Sequence, residues 1–161
     1  MPSTYTPIAT TTLGSASDTL TFSSIPSTYT DLILVSNVIP TSSPYIFYRI
    51  NSDSGSNYSR TQLIGNGTSA SSGRFSNESY MYVATTTISG SSTFISQFEN
   101  YSNTTTNKTV LTRQSDAGGN VSAIVSLWRS TSAISSIMVT TSGYSTFAAG
   151  SQFTLYGVKS A

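Results

Sequence analysis

Six carboxylates (Asp18, Asp31, Asp53, Glu78, Glu99 and Asp116) and two lysines (Lys108 and Lys159) are the residues of this chain best equipped for chemistry. Glycoside hydrolysis needs two facing carboxyl groups, about 5 Å or about 6.5–9.5 Å apart. Glu78 and Glu99 could sit on neighbouring strands, but solvated carboxylates on a weakly charged surface are the simpler reading. The chain has no histidine, so a Ser-His-Asp triad is impossible, and a Ser–Lys pair has only two lysines to draw on. It has no cysteine either, which removes disulfides and thiolate metal sites.

Two glycine-containing loops are the remaining candidates for ligand binding. Asp53-Ser54-Gly55-Ser56-Asn57 alternates oxygen-bearing side chains around a glycine, as part of a calcium loop would, but the further carboxylates of such a shell are missing. A polar turn between strands is the expected role. Gly65-Asn66-Gly67 opens no helical pattern and so offers no phosphate-binding helix N-terminus. The chain therefore reads as a building or binding part, not an enzyme, with no metal and no cofactor.

Composition narrows the partners. Seven basic and six acidic residues leave a net charge of +1, and Arg49, Arg60, Arg74, Lys108, Arg113, Arg129 and Lys159 are scattered, so no nucleic-acid footprint is expected. No apolar run approaches the eighteen or so residues of a membrane span, and the first residues lack the charged and apolar regions of a secretory leader. Synthesis in a cytosol and no membrane partner are expected. Asn-X-Ser/Thr triplets, as at Asn57 and Asn103, are what chance produces when Ser and Thr fill roughly a third of the positions. Ten tyrosines against one tryptophan are more informative, because a tyrosine joins an apolar ring to a polar tip and is favoured at contacts. Tyr45, Tyr80 and Tyr82 are the candidate contact residues in the body of the chain.

The elements that must position these residues are strands. β-branched and aromatic runs recur every ten to fifteen positions between Gly, Pro, Asn and Ser clusters, which is the pattern of an antiparallel β-sandwich. Strands are expected over 8–13, 19–23, 31–39, 46–51, 61–64, 79–84, 93–101, 108–113, 121–129, 137–141 and 152–158, with 64–76 as a surface loop. Leu32, Leu34, Phe98, Val125, Leu127, Ile137 and Leu155 are expected in the core, and strand 31–39 is expected to be covered on both faces. Gly157 inside the last strand predicts close approach of a backbone or a large side chain. One β-sandwich domain is expected over 18–161, preceded by an arm over 1–17 in which Pro2 and Pro7 oppose a helix. Tyr5, Ile8 and Leu13 would anchor that arm on a neighbour by strand addition.

Four segments carry a resemblance: Phe22-Ser23-Ser24-Ile25-Pro26-Ser27-Thr28-Tyr29-Thr30-Asp31-Leu32, Arg49-Ile50-Asn51-Ser52-Asp53-Ser54-Gly55-Ser56-Asn57-Tyr58-Ser59, Trp128-Arg129-Ser130-Thr131-Ser132-Ala133-Ile134-Ser135-Ser136-Ile137, and the closing Gly150-Ser151-Gln152-Phe153-Thr154-Leu155-Tyr156-Gly157-Val158-Lys159. In order and spacing the chain resembles tailed-bacteriophage virion structural proteins that end in a Leu-Tyr-Gly-Ile/Val strand. The resemblance implies an all-β, antiparallel, jelly-roll-like β-sandwich and no catalytic residue. It also implies a virion component made in the bacterial host cytoplasm. With the uncharged, hydroxyl-rich surface, the expectation is a cement or decoration protein on the capsid surface, a homotrimer that binds between major capsid protein subunits. The alternative is a tail-fibre or receptor-binding head domain that recognises a host surface glycan through its tyrosines and polar loops.

Overall fold

A computed structural model describes residues 4–84, 88 and 90–159. The strands are β1 (Tyr5–Thr12), β2 (Thr19–Phe22), β3 (Asp31–Val38), β4 (Ile46–Ile50), β5 (Tyr58–Gly65), β6 (Ala70–Glu78), β7 (Met81–Tyr82), β8 (Ser92–Phe98), β9 (Lys108–Asp116), β10 (Val121–Trp128), β11 (Ile137–Thr141) and β12 (Gln152–Val158). They form two sheets, one of eight strands in the order β1-β12-β3-β8-β9-β10-β5-β6 and one of four in the order β2-β11-β4-β7. Every pairing is antiparallel. The fold is the expected all-β sandwich. Without the β5–β6 and β9–β10 hairpins, the chain changes sheet at every step except from β4 to β7, giving β1-β12-β3-β8 in the large sheet and β2-β11-β4-β7 in the small one.

Period-two alternation builds the core. On β3, Leu32, Leu34, Ser36 and Val38 are buried while Ile33 and Val35 are half-exposed, so the strand is fully covered on one face only. From the small sheet, Phe22, Ile46, Tyr48, Ile50, Ile137 and Val139 meet Leu32, Leu34, Phe94, Phe98, Phe153 and Leu155 of the large one. Tyr48 stacks on Phe98 across the gap with ring centroids 5.8 Å apart. Each such side chain contributes about 1.5–3 kcal/mol relative to exposure.

Strand β10 faces the opposite way from the sequence expectation. Ser122, Ile124, Ser126 and Trp128 point inward, while Val125 is 52% exposed and Leu127 is only half-buried, so neither belongs to the core. The reason is parity. Trp128 must enter the sandwich, where its Nε1 donates to Asp53 Oδ2 at 2.7 Å, and every second residue follows it. The second departure is 64–76, expected as a loop and found as the end of β5, a turn and β6. Asn66 Oδ1 accepts from the amides of Thr68 and Ser69, and the returning strand pairs with β5 from Ala70 to Glu78. Its Ser-rich sequence shows no apolar alternation because β6 is an edge strand exposed along most of its length.

Gly157 behaves as expected, because a Cβ there would overlap the Tyr29 ring. Two measurements check this packing. Leu34→Ala should cost about 2–5 kcal/mol in denaturant unfolding, whereas Val125→Ala should stay within about 0.5 kcal/mol. Gly157→Ala should lose about 1–3 kcal/mol through overpacking against Tyr29.

Candidate interaction surfaces

The three tyrosines expected at a contact do come together. Phe47 and Arg49 project from the outer face of β4, on the parity opposite to Ile46, Tyr48 and Ile50. The Phe47 ring lies 4.5 Å from that of Tyr82, edge to face, and 5.2 Å from that of Tyr80. Tyr45 adds an edge contact to Tyr82 at 6.2 Å. Two guanidinium groups close the cluster. Arg49 lies 4.3 Å from the centre of the Tyr80 ring, and Arg60 is held between Phe75 at 4.1 Å and Tyr82 at 3.9 Å. Arg60 also donates through Nε to Gln62 Oε1 at 2.9 Å and pairs with Glu78. Burial pushes the Glu78 carboxyl above its usual range despite the Arg60 charge beside it. Cation–π contacts of this kind contribute about 0.5–2 kcal/mol each. The rings therefore serve largely to hold one another and Arg60, leaving Tyr45 and Phe75 about 40% exposed at the rim. Phe47, Arg49, Arg60 and Phe75 went unnoticed in the sequence. The i, i+2, i+4 spacing of Tyr45, Phe47 and Arg49 was the available signal, whereas Phe75 lay in the segment read as a loop.

The amino-terminal residues lie elsewhere. Pairing of Tyr5 with Val158 through Thr12 with Gln152 makes β1 the outermost strand of the chain's own large sheet. Ile8 and Leu13 pack partly buried against the core, and Tyr5 is 55% exposed. Within the single chain, 5–12 is thus a strand of the sandwich, not an arm leaving it.

The isolated candidates for chemistry take structural positions. Glu78 on β6 and Glu99 just beyond β8 are separated by β5, β10 and β9, a lateral distance of about 19 Å at four strand spacings, too far to share a glycosidic bond. Lys108 is buried and its Nζ donates to the carbonyls of Thr106 at 2.7 Å and Thr131 at 3.1 Å; burial lowers its pKa. The Asp53 carboxylate is consumed by its own turn. It accepts from the Gly55 amide at 2.8 Å, from Asn57 Nδ2 and from Trp128 Nε1. Burial pushes this carboxyl up, but those hydrogen bonds and the Arg49 charge outweigh it, so its pKa falls below 3.8.

A second surface appears where no contact was expected. The outward parity of β9, β10 and β5 exposes Leu63 (61%), Val121 (59%), Val125 (52%) and Leu111 (36%) together. A shallow depression of about 470 Å³ is lined by Leu63, Val121 and Ala123, with Arg113 at its edge. Neither the models of known protein families nor the curated proteins contain a match to this chain.

The Asp53–Trp128 bond yields a pH test. A carboxyl whose folded pKa lies below its unfolded value stabilises the fold above about pH 3.8, and that contribution is lost as pH falls through the folded pKa. Emission of Trp128, the sole tryptophan, should change at a pH below 3.8. Asp53→Asn should abolish that step and flatten the acid limb of the stability profile. A Trp128 transition at or above pH 4.5 would contradict the assignment.

Proposed function

We propose that this chain is a structural protein of a tailed-bacteriophage virion, a capsid cement or decoration protein that associates with itself on the capsid surface and binds between major capsid protein subunits. The observation that carries the reading is the exposed apolar face of β9, β10 and β5 on a module whose surface is otherwise rich in hydroxyls and poor in charge. Apolar patches of this kind mark protein contacts more often than they tile a monomer.

Two further features support it. The alternation of strands between sheets supports a jelly-roll-like reading of the sandwich. The four segments that carry the phage resemblance also meet as joints of the fold. Asn51 accepts from the Ser135 and Ser136 amides and donates to the Ala133 carbonyl, Asp53 binds Trp128, and Tyr29 covers Gly157. One observation favours the alternative, a tail-fibre or receptor-binding head: the Tyr45–Phe47–Tyr80–Tyr82 cluster has rims that a glycan ring could stack on.

Electron microscopy of virions labelled with antibody to this chain separates the two readings. Label on the head supports a capsid role, label at the tail tip supports receptor binding, and the absence of label from particles overturns both. Binding to particles should survive EDTA and weaken less than tenfold between 50 and 500 mM NaCl, since apolar burial is insensitive to screening.

A further inference from the structure

Register on the outer face of the large sheet orders the side chains into rows across the strands. Leu111, Val125, Thr61 and Arg74 form one row on β9, β10, β5 and β6. Arg113, Ala123, Leu63 and Ser72 form the next, and Ser115, Val121, Gly65 and Ala70 the one after it. Aliphatic side chains fill the middle of this strip, and an arginine stands on each of its outer strands, Arg113 on β9 and Arg74 on β6. Both are exposed, and among the described residues neither makes an ion pair. Three strand spacings across and one row along put them about 16 Å apart. Gly65 and Ala70 add little bulk beside Leu63 and Val121, which leaves the depression that Arg113 borders.

We propose that this strip seats a protein partner other than a second copy, one that presents aliphatic side chains between two carboxylates about 16 Å apart. An aliphatic side chain of the partner fills the depression, and its carboxylates meet Arg113 and Arg74. Charge selects this occupant. Two copies packed face to face would bring four of these arginines together with two Glu99 side chains at most, so at least two guanidinium groups would be desolvated without a partner. Glu99 itself stands beyond the end of β8, outside the strip. An uncharged occupant would strand both arginines, and a polyanion would pair them but leave the aliphatic side chains uncovered. Arginine is also the side chain that grips a carboxylate through two parallel hydrogen bonds. An apolar centre with charged flanks is the anatomy of a protein interface. The inference rests on the virion reading in one respect: there the partner is the major capsid protein, and the strip is the side of the chain turned to the capsid.

The test adds the full-length protein back to particles assembled without it. Wild type should bind them. Val125→Asp should bind at least tenfold more weakly while still melting cooperatively, since Val125 lies outside the core. Arg74→Glu and Arg113→Glu should each bind about tenfold more weakly, whereas Arg74→Lys and Arg113→Lys should stay within about threefold of wild type. Carbodiimide should then couple these two lysine variants to acidic side chains of the major capsid protein, at positions identified by mass spectrometry. No binding by wild type would overturn the virion reading and this partner together. Undiminished binding by Val125→Asp, or by both charge reversals, would overturn the partner and leave the virion reading standing. Coupling from these positions to a second copy of this chain would overturn the proposal in favour of self-association.

Discussion

A hydroxyl taken out of water between two sheets costs least when it finds a partner there, and one chain of hydroxyls across this sandwich ties the two sheets in that way. Tyr48 enters from β4 and its hydroxyl lies 2.9 Å from Ser96 Oγ on β8, which lies 2.9 Å from Thr112 Oγ1 on β9. All three residues are fully buried, so the chain of hydroxyls crosses from the small sheet into the large one. Burial pushes the Tyr48 phenol up to about 12 against the hydrogen bond with Ser96, which keeps it a neutral donor and acceptor at any ordinary pH. A slip of either sheet by one residue would break the chain and leave polar atoms stranded, at a cost of about 1–3 kcal/mol each. The ladder thus fixes which face of each strand looks inward, a task that apolar residues alone do less selectively.

The unequal width of the sheets sets the second condition. Four strands cannot cover eight; β7, at the edge of the small sheet, reaches β10 and β5 and leaves the inner face beyond it toward β6 without a strand to cover it among the described residues. Polar and aromatic side chains cover it in place of a fifth strand. Ser122 donates to Gln114, Arg60 ties Gln62 to Glu78, and Phe75 and Tyr82 close over the guanidinium. The tyrosine cluster is therefore first a seal on the edge of the core, and its rim is what remains for contact.

The same parity that seats Trp128 and Ile124 inside sends Val121, Ala123, Val125 and Leu127 outside. Strand β10 is apolar on the face turned to water and bears Ser122 and Ser126 on the face turned to the core. That inversion is costly for a solitary domain and useful for one that meets other subunits. On the inner face of this strand Ser122 donates to Gln114 while Ser126 Oγ is buried without a partner among the described residues, so its aliphatic side chains stand on the surface and not in the core.

Alternation and turn residues were enough to place eleven of the strands within a few residues of their observed ends, because strand period and turn chemistry are local properties. The Gly157 contact was legible for the same reason, since a glycine amid an alternating strand asks for a neighbour. The polar turn at Asp53 was legible from its spacing. Strand β6 was not, because an exposed edge strand needs no apolar period and draws its order from the backbone of β5. The facing of β10 could not be read either, since apolar residues stand on one parity while the tryptophan that decides the matter stands on the other. Nor could the sequence bring Arg60 between Phe75 and Tyr82, residues fifteen and twenty-two positions away, or assemble Leu63, Leu111, Val121 and Val125 from three strands. Local propensity chose strands and turns; which side of each strand met the core was decided by long-range pairing, because burial is a property of two sheets together and of neither alone.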